Sequence, residues 1–215
     1  MEPLVEPPTP HKRTGRPRSA EADRAILGAT REALVELGWG KLTLSDVAAR
    51  AGVAKTTLYR RWNGKNELVV DAIAALFEEQ LDLPDLGSLH ADIRGVVLRF
   101  AELLNRPAIR TGLMAVVAEA THDDALRLRI REAIVDRQKH LVLLGRHRAQ
   151  QRGELPPDPP APCDPALATR DADLIFDVIA GTVVHRVMIS AAPVDDEWAD
   201  RLALLLILGL TGVRS

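Results

Sequence analysis

Lys55, Thr56, Thr57, Tyr59, Arg60 and Arg61 crowd into the run A-K-T-T-L-Y-R-R-W. Short hydroxyls, a phenol and three cations are the groups that meet phosphate oxygens and the base edges of a major groove. To act together they must share one face of a support. Leu58 and Trp62, one helical turn apart, supply the buried back of such a support. Just upstream stands T-L-S-D-V-A-A-R-A-G-V-A, residues 43–54. Thr43 with Asp46 three residues on reads as a capping box. Leu44, Val47, Ala48 and Ala51 follow the i, i+3, i+4, i+7 spacing of one buried helix face. Gly52 sits where the helix needs a left-handed exit, which glycine adopts without a Cβ clash. The two segments predict a helix-turn-helix whose second helix reads DNA. Taken alone, the same residues also fit a helical hairpin with a solvated basic face.

The flanks favour the DNA reading. Residues 12–18 read K-R-T-G-R-P-R after a proline-rich start. Residues 1–18 are therefore expected to be a disordered basic arm, with Arg16 and Arg18 on DNA, either along the phosphates or in the minor groove. A helix is predicted from Ser19, as its cap, to Leu37, with Ile26, Ala29, Ala33, Leu34 and Leu37 inward and Gly38 closing it. Trp39 is expected to pack beneath the turn. A fourth helix begins near Asn63-Gly64-Lys65-Asn66-Glu67, so Lys65 and the backbone N–H groups there can meet a phosphate, as can Thr43.

Over about Arg24 to Phe77 the chain resembles the DNA-binding domain of the TetR family of transcriptional regulators. The residues that carry the resemblance are L-V-E-L-G-W, T-L-S-D-V-A-A-R-A-G-V-A, and T-L-Y-R-R-W followed by K-N-E-L-V. Two positions depart from the family pattern: Ala54 replaces a Ser or Thr cap on the second helix, and Gly64 replaces a Ser or Pro before the lysine. The resemblance implies a homodimer on a palindromic double-stranded operator, repression as the usual outcome, and release by a small-molecule effector.

Charge agrees with a docking face. Through Lys65 there are 12 lysines and arginines against 7 acidic residues, net +5; the remainder holds 16 against 23, net −7. A basic end on an acidic body favours DNA at one defined surface over general coating. No run is long enough for a membrane span and no leader precedes the arm, so the expectation is a cytoplasmic protein without a membrane partner. Cys163 is the single cysteine, which rules out an internal disulfide. No phosphate-cradling glycine loop, nucleophile elbow or H-E-x-x-H is present, so neither catalysis, cofactor nor metal is expected. Asp136 and His140, four residues apart, form the nearest approach to a metal pair; salt-bridged or pocket-lining roles fit them better. An architectural DNA-binding protein without an effector, or an enzyme with an incidental helix-turn-helix, remains the alternative. A palindromic footprint and its release by a small molecule would separate these.

The body of the chain, 67–215, reads as helical throughout. Ser88 caps a helix with Leu89, Ile93, Val96, Val97, Phe100 and Leu104 on one face; Pro107 starts the next. Thr121 with Asp124 reads as a capping box opening a long helix to about Gln151, with Leu126, Ile130, Ile134, Leu141 and Leu144 inward. A proline-stiffened linker, 153–165, precedes helices over 169–191 and 196–212. The expected fold is all-α, about nine helices: an N-terminal three-helix domain, 19–66, then a helical regulatory and dimerisation domain. The resemblance makes the last two helices a four-helix dimer interface, here through Ile175, Ile179, Val183, Leu205 and Leu208. It also places an effector cavity among the middle helices. Their aliphatic composition suits a hydrophobic or amphipathic molecule, with Phe100, Arg110, Met114, Glu119 and His140 as candidate lining residues.

Overall fold

The computed structural model describes the backbone of residues 17–157 and 165–212, with side chains from Ala20 to Pro157 and from Ala172 to Leu210. Among the described residues every regular element is a helix. The order is α1 (Pro17–Lys41), α2 (Leu44–Arg50), α3 (Lys55–Tyr59), α4 (Lys65–Gln80), α5 (Leu89–Leu104), α6 (Pro107–Glu119), α7 (Asp124–Ile130), α8 (Asp136–Gln151), α9 (Pro165–Val184) and α10 (Asp196–Gly212). A π turn, Arg131–Val135, joins α7 and α8 into one rod, and a second, His185–Ile189, extends α9. Among the described residues the ten helices thus form nine rods, the first of them kinked at Gly38.

Caps explain most boundaries. Thr43 Oγ1 accepts from Asp46 N at 3.2 Å while its hydroxyl donates to Asp46 Oδ2 at 2.5 Å. Ser88 accepts from Ala91 N at 3.2 Å, and Pro107 occupies the first turn of α6. Two expected caps are corrected. α1 begins at Pro17, so Ser19 lies inside it; proline's fixed φ and missing N–H suit a first turn. Asp123, not Thr121, caps α7 by accepting from Leu126 N at 3.0 Å, while the Thr121 hydroxyl donates back to Ala118 O at 2.6 Å. A carboxylate two residues nearer the helix wins the N-terminal position. Gly38, at φ 72°, breaks α1 as expected, and the chain then makes one further turn to Lys41.

The N-terminal helices do not stand apart from the body. The inner face of α1 packs against α2, α4 and α6, and α4 in turn contacts α5, α6 and α7. Gly112 makes the α6 approach close: a Cβ there would lie 3.0 Å from Ile73 Cδ1 and 3.2 Å from both Leu34 and Val69 methyls. One hydrophobic cluster therefore runs from Ile26 and Leu34 through Val69, Phe77 and Phe100 to Leu202 and Leu206. α5 is central to the second half, packed against α8, α9 and α10.

Candidate nucleic-acid interface and ligand cavity

The turn between α2 and α3 is built by backbone bonding. Gly52, at φ 65°, lets Val53 N donate to Ala48 O at 3.0 Å and Gly52 N to Ala49 O at 3.3 Å, the paired pattern that closes a helix end. Ala54 starts α3 with no side-chain cap. Leu58 is fully buried and Trp62 is 5% exposed, so α3 is held by its apolar back. Lys55, Thr56, Tyr59 and Arg60 project outward and Thr57 is half-buried. The structure thus brings five of the six residues of the motif onto one accessible surface.

Two cations are placed differently from the expectation. Arg61 turns back to α1 and pairs with Asp23. Lys65 donates to Trp39 O at 3.0 Å and lies 4.3 Å over the Trp39 ring, so its ammonium is partly engaged. Lys65 opens α4, which packs along α1, so its ammonium lies close to Trp39. Thr43 is exposed but its hydroxyl serves the cap of α2. Arg16 lies outside the described residues; Arg18 falls within α1 and its side chain lies outside them.

Glu67 is a contributor that the sequence reading passed over. Its carboxylate accepts from Asn63 N at 3.1 Å and from Asn63 Nδ2 at 2.9 Å, fixing the corner between Trp62 and α4. Burial pushes its pKa up, but those two bonds outweigh it and hold the group below the ordinary value. The S/T-x-x-E logic of helix starts was the available signal, masked because Asn63 stands one residue before the extended Gly64 cap.

α4 also connects this surface to the body. Trp62 Nε1 donates to Asp71 Oδ2 at 2.8 Å, and Arg129 of α7 reaches the same oxygen at 2.7 Å. Six residues further along α4, Phe77 enters the wall of an apolar cavity of about 390 Å³ among α4, α5, α6, α8, α9 and α10. Its lining includes Ile93, Phe100, Met114, Ile134, Leu141 and Phe176. Gly145 opens it, since a Cβ there would sit 3.1 Å from Leu83 Cδ2.

Of the expected lining residues, Phe100 and Met114 are in the wall. Arg110, Glu119 and His140 are not. Arg110 is exposed and donates to Asn105 Oδ1 at 3.4 Å; Glu119 is exposed at the end of α6. The His140 ring bonds to the Arg137 carbonyl on the outer face of α8. Asp136, the other half of the suggested metal pair, lies 3.4 Å from Lys139 and 3.7 Å from Arg131. The polar residues that do line the cavity are Asp92, Gln138 and Arg146. Gln138 was findable: it falls four after Ile134 and three before Leu141, in an inward slot of the helical period.

Three of the five expected dimer residues also turn inward. Ile175 and Ile179 line the cavity, and Val183 is fully buried. α9 is apolar on more than one side, so periodicity could not choose its inner face. Leu205 and Leu208 on α10 are 66% and 69% exposed, alongside Leu174 and Leu204.

Comparison with known proteins agrees with this architecture. The family model described as "Bacterial regulatory proteins, tetR family" matches residues 26–72, and "Tetracyclin repressor-like, C-terminal domain" matches 83–206. The chain is 31% identical to the DNA-binding transcriptional repressor TetR of Mycobacteroides abscessus, over 93% of this chain and 98% of that one. It is 25% identical to an uncharacterized HTH-type transcriptional regulator, YdeS, of Bacillus subtilis, over 91% and 93%. The crystal structure of the TetR family regulator SCO0332 superposes with a TM-score of 0.71 at 28% identity, covering 88% of this chain and 98% of that one.

Proposed function

The chain belongs to the TetR family of bacterial transcriptional regulators, and from that membership we propose that it is a homodimeric repressor, released from a palindromic operator by a small apolar effector. The observation that carries this reading is the joining of two sites by one helix. α4 holds Trp62 through Asp71 near its middle and, six residues on, presents Phe77 to the cavity. Lys55, Thr56, Thr57, Tyr59 and Arg60 supply the base-reading and phosphate contacts, and Thr43, Lys65, Arg18 at the start of α1 and Arg16 in the basic arm before it add phosphate contacts around them. Residues 19–66 form the reading domain, and 67–215 the regulatory and dimerisation part.

The mechanism is a shift between two arrangements of the dimer. One matches half-sites about 34 Å apart, and the other, favoured by a filled cavity, does not. A coupling of ~1–3 kcal/mol loosens operator binding roughly 5- to 150-fold, and operator DNA weakens the effector by the same factor. No helix among the described residues is long and apolar enough to cross a membrane, and a DNA-bound regulator works in the cytoplasm. Membership in a family of regulators supports the reading of a sensor over that of an enzyme.

The test is a footprint over the promoters flanking the gene, followed by an effector screen on the protected fragment. A twofold-symmetric footprint that shrinks as the effector is added is the expected result. Uniform coating without a protected palindrome would overturn the operator reading. A palindrome that no apolar ligand relieves would overturn the effector reading alone.

A further inference from the structure

The cavity wall is almost wholly apolar, yet Gln138 is set into it. Its side chain is 3% exposed, and its Oε1 is buried without a hydrogen-bond partner. The other polar lining groups are already engaged. Asp92 Oδ1 accepts from Leu86 N at 2.7 Å and Oδ2 from Arg152 at 2.9 Å. Arg146 likewise has an interaction of its own. An unmet carbonyl in a low-dielectric site costs free energy that a ligand donor recovers on binding. Gln138 belongs to the inward row Ile134, Gln138, Leu141 and Gly145, all four in the wall. The π turn Arg131–Val135 sets the register of that row, and π turns within helices recur where a side chain must be aimed at a functional site.

We propose that Gln138 is the specificity determinant of the effector cavity, and that the effector is an uncharged, mainly hydrocarbon molecule carrying one hydroxyl or amide N–H that donates to Gln138 Oε1, brought to the lumen by rotation of the terminal amide about its soft χ3. The proposal rests on the reading of this cavity as the effector site. Size agrees, because about 390 Å³ lies in the ~300–1,000 Å³ range of small-molecule sites. A charged head is disfavoured, since a buried ion needs a matched partner and both charged groups of the wall, Asp92 and Arg146, are already engaged.

Three matched probes test it: 4-butylphenol, which donates; 4-butylanisole, which only accepts; and butylbenzene, which does neither. Calorimetry on the full-length protein should show 4-butylphenol binding about tenfold tighter than either of the others, the worth of one hydrogen bond to a buried acceptor. In Gln138→Leu that preference should fall to within about twofold while all three still bind, and the unliganded variant should melt no lower than the parent, because an unmet polar group has gone. Gln138→Met serves the same purpose if the leucine variant does not fold. Equal binding of all three probes by the parent overturns the role of Gln138 and leaves the cavity reading intact. Persistence of the preference in the variants, with a lower melting temperature, makes Gln138 a packing residue and also overturns it. Failure of every probe to bind removes the cavity reading, and this inference with it.

Discussion

Tyr59 stands 57% exposed on α3, with Lys55 and Arg60 beside it, while Arg61 next in sequence is held by Asp23. Adjacent arginines in one motif therefore have separate surroundings. Arg60→Ala or Lys55→Ala should each weaken operator binding and lower the slope of log affinity against log salt by about 1. Arg61→Ala should leave that slope unchanged and cost stability by at most ~1 kcal/mol, the worth of a partly exposed pair. Titrations at four salt concentrations, with melting curves, check both; a slope change for Arg61→Ala would place it on the phosphates after all. A pH effect follows at Glu67, whose folded pKa is depressed by Asn63 against the opposing push of burial. A depressed carboxylate gives stability above its unfolded value that is lost as pH falls through the folded one. Glu67→Gln should therefore melt below the parent at pH 7 and converge on it below the ordinary glutamate value of 4.5. The motif was legible at this scale because residue type and turn chemistry are local. The partners of Arg61 and Lys65 were not, because Asp23 and Trp39 lie far back in the chain.

At the scale of elements, α4 is the connection that matters. It packs on α1 on one side and on α6 and α7 on another, and Asp71 takes both Trp62 and Arg129 on a single oxygen. Asp71→Asn keeps the size of the side chain but removes the charge that holds Arg129. It should leave operator affinity within about threefold and shrink the effector-induced loss, whose full extent in coupled regulators is ~5- to 150-fold. The ratio of operator affinities with and without effector measures this, and an undiminished ratio would show that coupling runs elsewhere. A second change concerns the end of α9. The π turn His185–Ile189 leads into Ala191 at φ 49°, a left-handed conformation that favours glycine. Ala191→Gly should raise stability by up to ~1 kcal/mol, read as a higher melting temperature. Helix existence was legible because apolar spacing and caps such as Thr43 and Ser88 are local signals. The π turns were not, because neither carries a residue that marks it. Ser19 and Thr121 misled because a better start, Pro17 or Asp123, stood within two residues.

At the scale of the whole molecule, the cavity and the dimer face compete for the same apolar helices, and the sequence could not divide them. Ile175, Ile179 and Val183 look as exposed-apolar as Leu205 and Leu208 until α9 is seated against α5 and α8. Once it is, the first three face inward, and Leu174, Leu204, Leu205 and Leu208 remain outside at 52–69% exposure. Three of these leucines lie on α10 and one on α9, and under the proposed function they would face the partner protomer. At Gly181 an added Cβ meets nothing within 4 Å among the described residues, so no packing seen in the protomer requires the glycine. Within a protomer, Gly181→Ala should stabilise the helix by up to ~1 kcal/mol. Against a closely approaching twofold mate it should instead weaken the dimer, so the sign of its effect on assembly separates the two settings. Leu205→Glu with Leu208→Glu is the stronger probe. Each leucine forfeits ~1.5–3 kcal/mol of burial, and twofold symmetry doubles the loss and brings like charges together. Sedimentation at micromolar concentration should show the parent as a dimer and the double variant as a monomer with unchanged helicity. Affinity for a full palindrome should then fall by at least ~100-fold while affinity for a single half-site holds, because only the pairing of two α3 helices has been lost. A dimeric double variant with parental operator affinity would move the interface off α10.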